Sequence, residues 1–317
     1  MYDIIKHRRW YYIFSTFVIV PGLLIMLYSM ITIGTPFRLA IDFTGGSLWE
    51  LRFQEPIPPG EMVSFFQSQG IRDVNVHTIG DEYTLVIRTK PLDPAEKQQL
   101  LEAMAQAFGH EPEELQFRAV GPTVGKEVTR TAFIAVFMAS LVILGFIIWA
   151  FRQVDHPVRY GVAAIIAMVH DVLVASAFFS LMGFIAGWEV DALFLTALLT
   201  VIGFSVQDTI VVFDRIRENS RRRKGEPFDI IANRSLLETM QRSIATQINA
   251  MFVMIALLLF GGVTIRQFIA TMFIGMLSGT YSSIFIATPL LVSWHNREGI
   301  FGWFGGRKKT KIKKVSA

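Results

Sequence analysis

Apolar residues in this chain come in long runs, and short charged connectors separate the runs in every place but one. The runs extend from about Trp10 to Ile33, Thr131 to Phe151, Tyr160 to Leu181, Ala192 to Phe213, Thr239 to Phe260 and Phe268 to Trp294. Each has about 21–27 residues, or roughly 32–40 Å as helix, which is enough to cross a bilayer with some tilt. The long interruption, Gly34 to Gly125, has a different grain. Ser47–Gln54 alternates like a half-buried strand, and Pro58–Gly70 reads as a short helix closed by glycine. Val74–Ile79 and Tyr83–Arg88 flank Gly80-Asp81-Glu82 as the arms of a hairpin would. Asp93 and Pro94 open an amphipathic helix that runs to Phe108, and Leu115–Val120 is a last strand. The order β-α-β-β-α-β predicts a ferredoxin-like unit. The expected fold is a membrane all-α bundle of six transmembrane helices with one α+β domain between helices 1 and 2.

Charge placement adds an orientation. Of 317 residues, 52% are hydrophobic, and the 30 Lys and Arg gather beside the apolar runs, so the basic balance reads as membrane topology and not as nucleic-acid binding. Residues 1–9 are basic and lead into Trp10, Tyr11 and Tyr12, as a helix entering from the cytoplasmic interface would. Arg152 with Arg159, the loop 214–238 with Arg215–Lys224, and the tail 295–317 with Arg307–Lys314 fall on that same side. Residues 34–125 fall on the other, and with 13 acidic against 7 basic residues they have no reason to lie on nucleic acid or anionic lipid. Both termini are thus expected in the cytoplasm and the small domain outside it. The two basic clusters set topology and touch anionic membrane lipid; a contact with a ribosome or motor protein is the alternative. Pro227–Met240 has apolar residues at helical spacing and is expected as a helix at the cytoplasmic face. The first run shows no small-residue cleavage site and is read as an anchor. No cysteine is present, so disulfides and thiol chemistry are excluded.

Candidate chemistry is confined to a few polar residues inside the runs. Asp208 lies five residues before Phe213, about 7–8 Å inside its helix. A carboxylate there costs roughly 2.5–3.5 kcal/mol on insertion scales, so it needs a reason. Arg242 starts the next run at similar depth, and Arg242, Thr246 and Asn249 share one helical stripe. With Gln207, Ser205 and Thr209 they are expected to form a hydrophilic seam. In one reading Asp208 and Arg242 staple two helices, or Arg242 snorkels to the interface. In the other, Asp208 loads and releases a proton as its partner moves. His170 and Asp171 are a second pair near mid-membrane, on a face shared with Ala164, Ala167 and Ala175. Small neighbours point that acid at a partner helix, where it either makes a structural hydrogen bond or serves a proton path with His170. Gly275, Gly279 and Ser283, with Ser278 and Ser282 beside them, read as a close-packing stripe. No phosphate-binding loop, Cys/His metal set or intramembrane-protease setting is present, so no enzyme activity, cofactor or metal is expected.

Three motifs carry a family resemblance. Ile41-Asp42-Phe43-Thr44-Gly45-Gly46, Val169-His170-Asp171-Val172 and, above all, the stretch from Val201 to Asn219 (VIGFSVQDTIVVFDRIREN) resemble the SecF proteins of the SecD/SecF export family, within the resistance-nodulation-division superfamily. Val120-Gly121-Pro122 fits the same pattern, and the likeness covers nearly the whole chain. The resemblance implies pairing with SecD in a twelve-helix unit of the cytoplasmic membrane. That unit assists the SecYEG channel and the SecA ATPase and uses the proton-motive force to draw preproteins outward. It also implies that Asp208 and Arg242 serve proton transport, together with an acid from SecD. Where the family usually has Asn, this chain has Gln207, which keeps the amide on a longer arm. Readings of a different class are a stand-alone exporter of small molecules or lipids, and a proton-independent translocon scaffold.

Overall fold

The computed structural model describes residues 3–296, so the basic tail expected beyond His295 lies almost wholly outside the described residues. The chain forms two compact units. One comprises Leu39–Ala135 with Glu189–Ala192, and the other the remainder of the described chain.

The first unit is built on a four-stranded antiparallel sheet in the order β2-β3-β1-β4, with β1 Gly46–Arg52, β2 Val74–Ile79, β3 Asp81–Thr89 and β4 Glu113–Val120. On β1 the period-2 pattern sends Trp49 and Leu51 to the same face, where they are fully buried. Helices α3 (Pro59–Ser68) and α4 (Pro94–Phe108) cover that face with Met62, Phe66, Leu100 and Met104. Asp93 caps α4 reciprocally with Glu96: its Oδ1 accepts from Glu96 N at 2.7 Å, and its own N–H donates to Glu96 Oε2 at 3.2 Å. A short helix, α2 (Ile41–Thr44), precedes β1.

The helical unit contains α1 (Arg8–Ile33) and most of α5 (Pro122–Ala150), together with α6 (Pro157–Ala186), α7 (Ala192–Arg222), α8 (Phe228–Phe260), α9 (Val263–Ser282) and α10 (Thr288–His295). Among the described residues six helices are long and apolar enough to span a membrane, the sixth being Ile265–His295. Two elements differ from the sequence expectation. The segment 227–240 is no separate surface helix but the first turns of α8, because no glycine or proline interrupts residues 228–260. The last span is also not uniform. A π-helical turn, Ser283–Ala287, separates α9 from α10 just before Pro289, whose missing N–H and bulky ring do not fit an unbroken α-helix.

Candidate functional site

Asp171, on α6, has no exposed surface at all. Ala164, Ala167 and Ala175 on the same helix are buried too, and their small side chains let neighbours approach. Helix α9 also comes close to α7. A Cβ placed on Gly275 would sit 2.2 Å from Val201 Cγ2, and one on Gly279 would sit 3.4 Å from the Ser205 Cα, both on α7. The glycine stripe thus brings the backbones of α7 and α9 together beside Asp171. Ser205 Oγ from α7 and Ser282 Oγ from α9 donate to Asp171 Oδ2 at 2.5 and 2.6 Å, and Ser278 Oγ donates to Oδ1 at 2.6 Å. His170 Nδ1 supplies a fourth bond, at 3.0 Å to Oδ1, and its Nε2 lies 3.0 Å from Ser15 Oγ on α1. Every acceptor direction of the carboxylate is used. Ser278 and Ser282, read from sequence only as neighbours of a packing stripe, are its donors.

Asp208 is placed differently. It is 5% exposed, on the same side of α7 as Ser205 and Thr209, and its one side-chain partner among the described residues is Gln247 of α8. Gln247 Nε2 donates to Asp208 Oδ2 at 2.7 Å, and Gln247 Oε1 is buried without a hydrogen-bond partner in the described chain. The expected pairing with Arg242 is therefore corrected. Arg242, Thr246 and Asn249 lie on an exposed side of α8, and the Arg242 guanidinium makes no ion pair among the described residues. The reason is angular. Successive residues on a helix are turned by about 100°, so the line Ser235-Thr239-Ser243-Gln247 faces inward while 242, 246 and 249 face out. That four-residue polar spacing was available in the sequence and is the signal that would have found Gln247. Gln207 is likewise exposed, one position round α7 from Asp208.

Beyond Asp208 the charged stretch of α7 forms a network with the start of α8. Arg215 pairs with Glu218 and Glu238 at 2.5 and 2.6 Å, and Asn219 Nδ2 donates to Ser235 Oγ and Glu238 Oε2, both at 2.9 Å. Arg217 pairs with Asp214 at 2.5 Å and stands over the Phe151 ring. Among the described residues no three His, Cys, Asp or Glu side chains converge as metal ligands would.

Among the described residues six membrane-length helices, with a small sheet domain after the first and two acids buried among them, mark a multi-pass membrane protein. Residues 100–297 match the model of the C-terminal part of the protein export membrane proteins SecD/SecF, and residues 31–57 match the SecD/SecF GG motif. The chain is 45% identical to the protein translocase subunit SecF of Thermobaculum terrenum over 310 residues, covering 94% of this chain and 95% of that one. It is 46% identical to the subunit of the same name in Anaerolinea thermophila over 301 residues, covering 94% and 96%. The crystal structure of SecDF, a translocon-associated membrane protein from Thermus thermophilus, superimposes with a TM-score of 0.76 at 30% identity. That match covers 93% of this chain but only 39% of the longer one. The chain belongs to the SecD/SecF family, on its SecF side.

Proposed function

We propose that this chain is the SecF-type half of a two-part membrane complex that uses the proton-motive force to assist Sec-dependent export of preproteins. The relatives' names support a role in protein translocation with the Sec system. One observation carries the proton reading. Asp208 is buried with a single side-chain partner among the described residues, a neutral one, while Gln207, Arg242, Thr246 and Asn249 stand exposed on the helices that hold it. Polar groups facing hydrocarbon are costly, so these faces call for a protein cover. A SecD-type subunit would complete the site around Asp208 and supply a further acid. In that complex Asp208 and Arg242 are the proton-transport residues, with Gln207, Thr246 and Asn249 in support. His170 and Asp171 hold the helices.

The same reading places both termini and the basic loops in the cytoplasm and the sheet domain outside. SecYEG with SecA, the translocating preprotein and anionic lipid are its partners. The chain is not an enzyme and carries no cofactor. Its sheet domain is assigned to the ferredoxin-like class, which the β-α-β-β-α-β order and the strand order β2-β3-β1-β4 support. Moving one charge through the potential supplies about 2.3 kcal/mol per 100 mV. Driving a two-state element from 1:99 to 99:1 needs about 5.5 kcal/mol, so a pH gradient or a second proton is needed as well. The deciding experiment is export into membrane vesicles with an imposed proton gradient. Asp208→Asn should reduce export to its gradient-independent level, and unchanged stimulation by the gradient would remove the proton role. Purification from native membranes should bring down a SecD-type subunit; a homodimer alone would favour the stand-alone exporter.

A further inference from the structure

The motif Ile41–Gly46 takes no part in either acid site, yet its geometry is demanding. Ile41, Asp42 and Phe43 of α2 are buried. Gly45 and Gly46 follow with φ of 74° and 122°, where L side chains are strained, and a Cβ on Gly46 would meet the Thr89 carbonyl oxygen at 2.7 Å. This turn starts β1 beside β3 and aims Asp42. Asp42 Oδ1 accepts from Arg118 Nη2 of β4 at 2.7 Å, and Oδ2 accepts from the backbone N–H of Ala192 at 3.0 Å.

Ala192 is the first residue of α7, and Glu189–Ala192, the connector between α6 and α7, belongs to the sheet unit. Further bonds fix the connector there. Leu39 and Val190 form a parallel bridge, and Ala40 N–H donates to the Val190 carbonyl at 2.8 Å. Arg88 of β3 pairs with Glu189, and its Nη1 also donates to the Leu39 carbonyl at 3.3 Å. Connectors between helices usually run free over a surface and tolerate movement. This one has its backbone paired, Val190 buried, and the start of α7 held by a carboxylate, the charge that a helix N-terminus favours. Its two ends continue into the helices that carry Asp171 and Asp208.

We propose that Asp42, Arg118, Arg88 and Glu189 form a clasp of positioning residues that keeps the α6–α7 connector inside the sheet domain throughout the transport cycle. Residues 189–192, which lead into the first turn of α7, then stay part of the sheet domain at every stage of the cycle. The clasp rests on the proton-driven reading above, and its test keeps the two separable. In the vesicle export assay, Arg88→Glu and Glu189→Arg should each lower gradient-driven export by at least about threefold, and the double reversal should restore most of it. Asp208→Asn is run alongside. If that variant abolishes the gradient effect while both single reversals match wild type, the clasp is wrong; if Asp208→Asn is unaffected, the proton reading is the part that falls.

Should a single reversal fail to accumulate, a cysteine pair decides, because the natural chain has no other thiol. Leu39→Cys with Val190→Cys joins bridge partners, which lie about 4.8 Å apart, inside the Cα range of a disulfide. The expected result is efficient oxidation with export retained. Failure to cross-link, or cross-linking that stops export until a reductant is added, would show that the connector leaves the domain and would overturn the proposal.

Discussion

Asp171 and Asp208 are two buried acids of one helical unit, and they differ in how completely they are bonded. Asp171 accepts from three serines and a histidine, and through His170 the network continues to Ser15. Asp208 has Gln247, whose own carbonyl oxygen is unpaired among the described residues. A saturated carboxylate has no vacant acceptor site, and any movement breaks bonds that fix four helices, so it suits a permanent joint. An unsaturated one changes partners at small cost, which suits a group that works in a cycle. Burial alone does not distinguish the two acids; the number of donors does.

The contrast breaks most visibly through function. Asp208→Asn should lower gradient-driven export at least about tenfold, to the level seen without a gradient, since the amide carries no exchangeable charge. Its thermal unfolding in detergent should stay close to wild type. Asp171→Ala is expected to do the reverse. Four bonds at about 0.6 kcal/mol each in a membrane interior set a lower bound near 2 kcal/mol, and stranded hydroxyls raise it towards about 5 kcal/mol. Thermal unfolding of the purified complex measures this, and an unaltered midpoint would mean that Asp171 holds nothing.

Gln247→Leu removes the side-chain partner of Asp208 and should cost about 1 kcal/mol of stability while slowing gradient-driven export severalfold. Equal export by the variant would mean that Gln247 is a bystander. The smallest expected effect on stability belongs to Arg242→Ala. Because the side chain is exposed, the isolated chain should change by less than about 0.5 kcal/mol. Export by the assembled complex should nevertheless fall. A destabilised isolated chain would contradict the exposed placement of Arg242.

The coarse fold was legible because its signals are local. Six apolar runs needed only their length, and β1 needed only the alternation that buries Trp49 and Leu51. The cap at Asp93 was readable from Pro94 directly after it, at the first turn of the helix. The acids themselves stood out as charges in apolar sequence, but their partners did not, since a partner depends on how two helices are rotated about their axes. Arg242 matches Asp208 in depth along its helix, but rotation about the helix axis turns the neutral line of Ser235, Thr239, Ser243 and Gln247 inward instead. Ser278 and Ser282 were hidden in the same way behind the glycines that allow them to reach Asp171. The connector Glu189–Ala192 gave no signal at all, because its pairing with Leu39 and Ala40 is set by tertiary structure.

The bond between Ser15 and His170 also bears on how the protein is made. The two residues are 155 positions apart in sequence, and the first span also approaches the same helix closely at Gly22, which packs on Ala177. At about 5–20 residues per second, ribosomes need roughly 8–30 s to cover that distance. During this interval the first span has no α6 to pack against, while the whole sheet domain and the second span are synthesised. Biogenesis therefore passes through a stage in which α1 waits in the bilayer with Ser15 unmatched by His170. That stage offers an insertase or a neighbouring subunit a defined time in which to hold it.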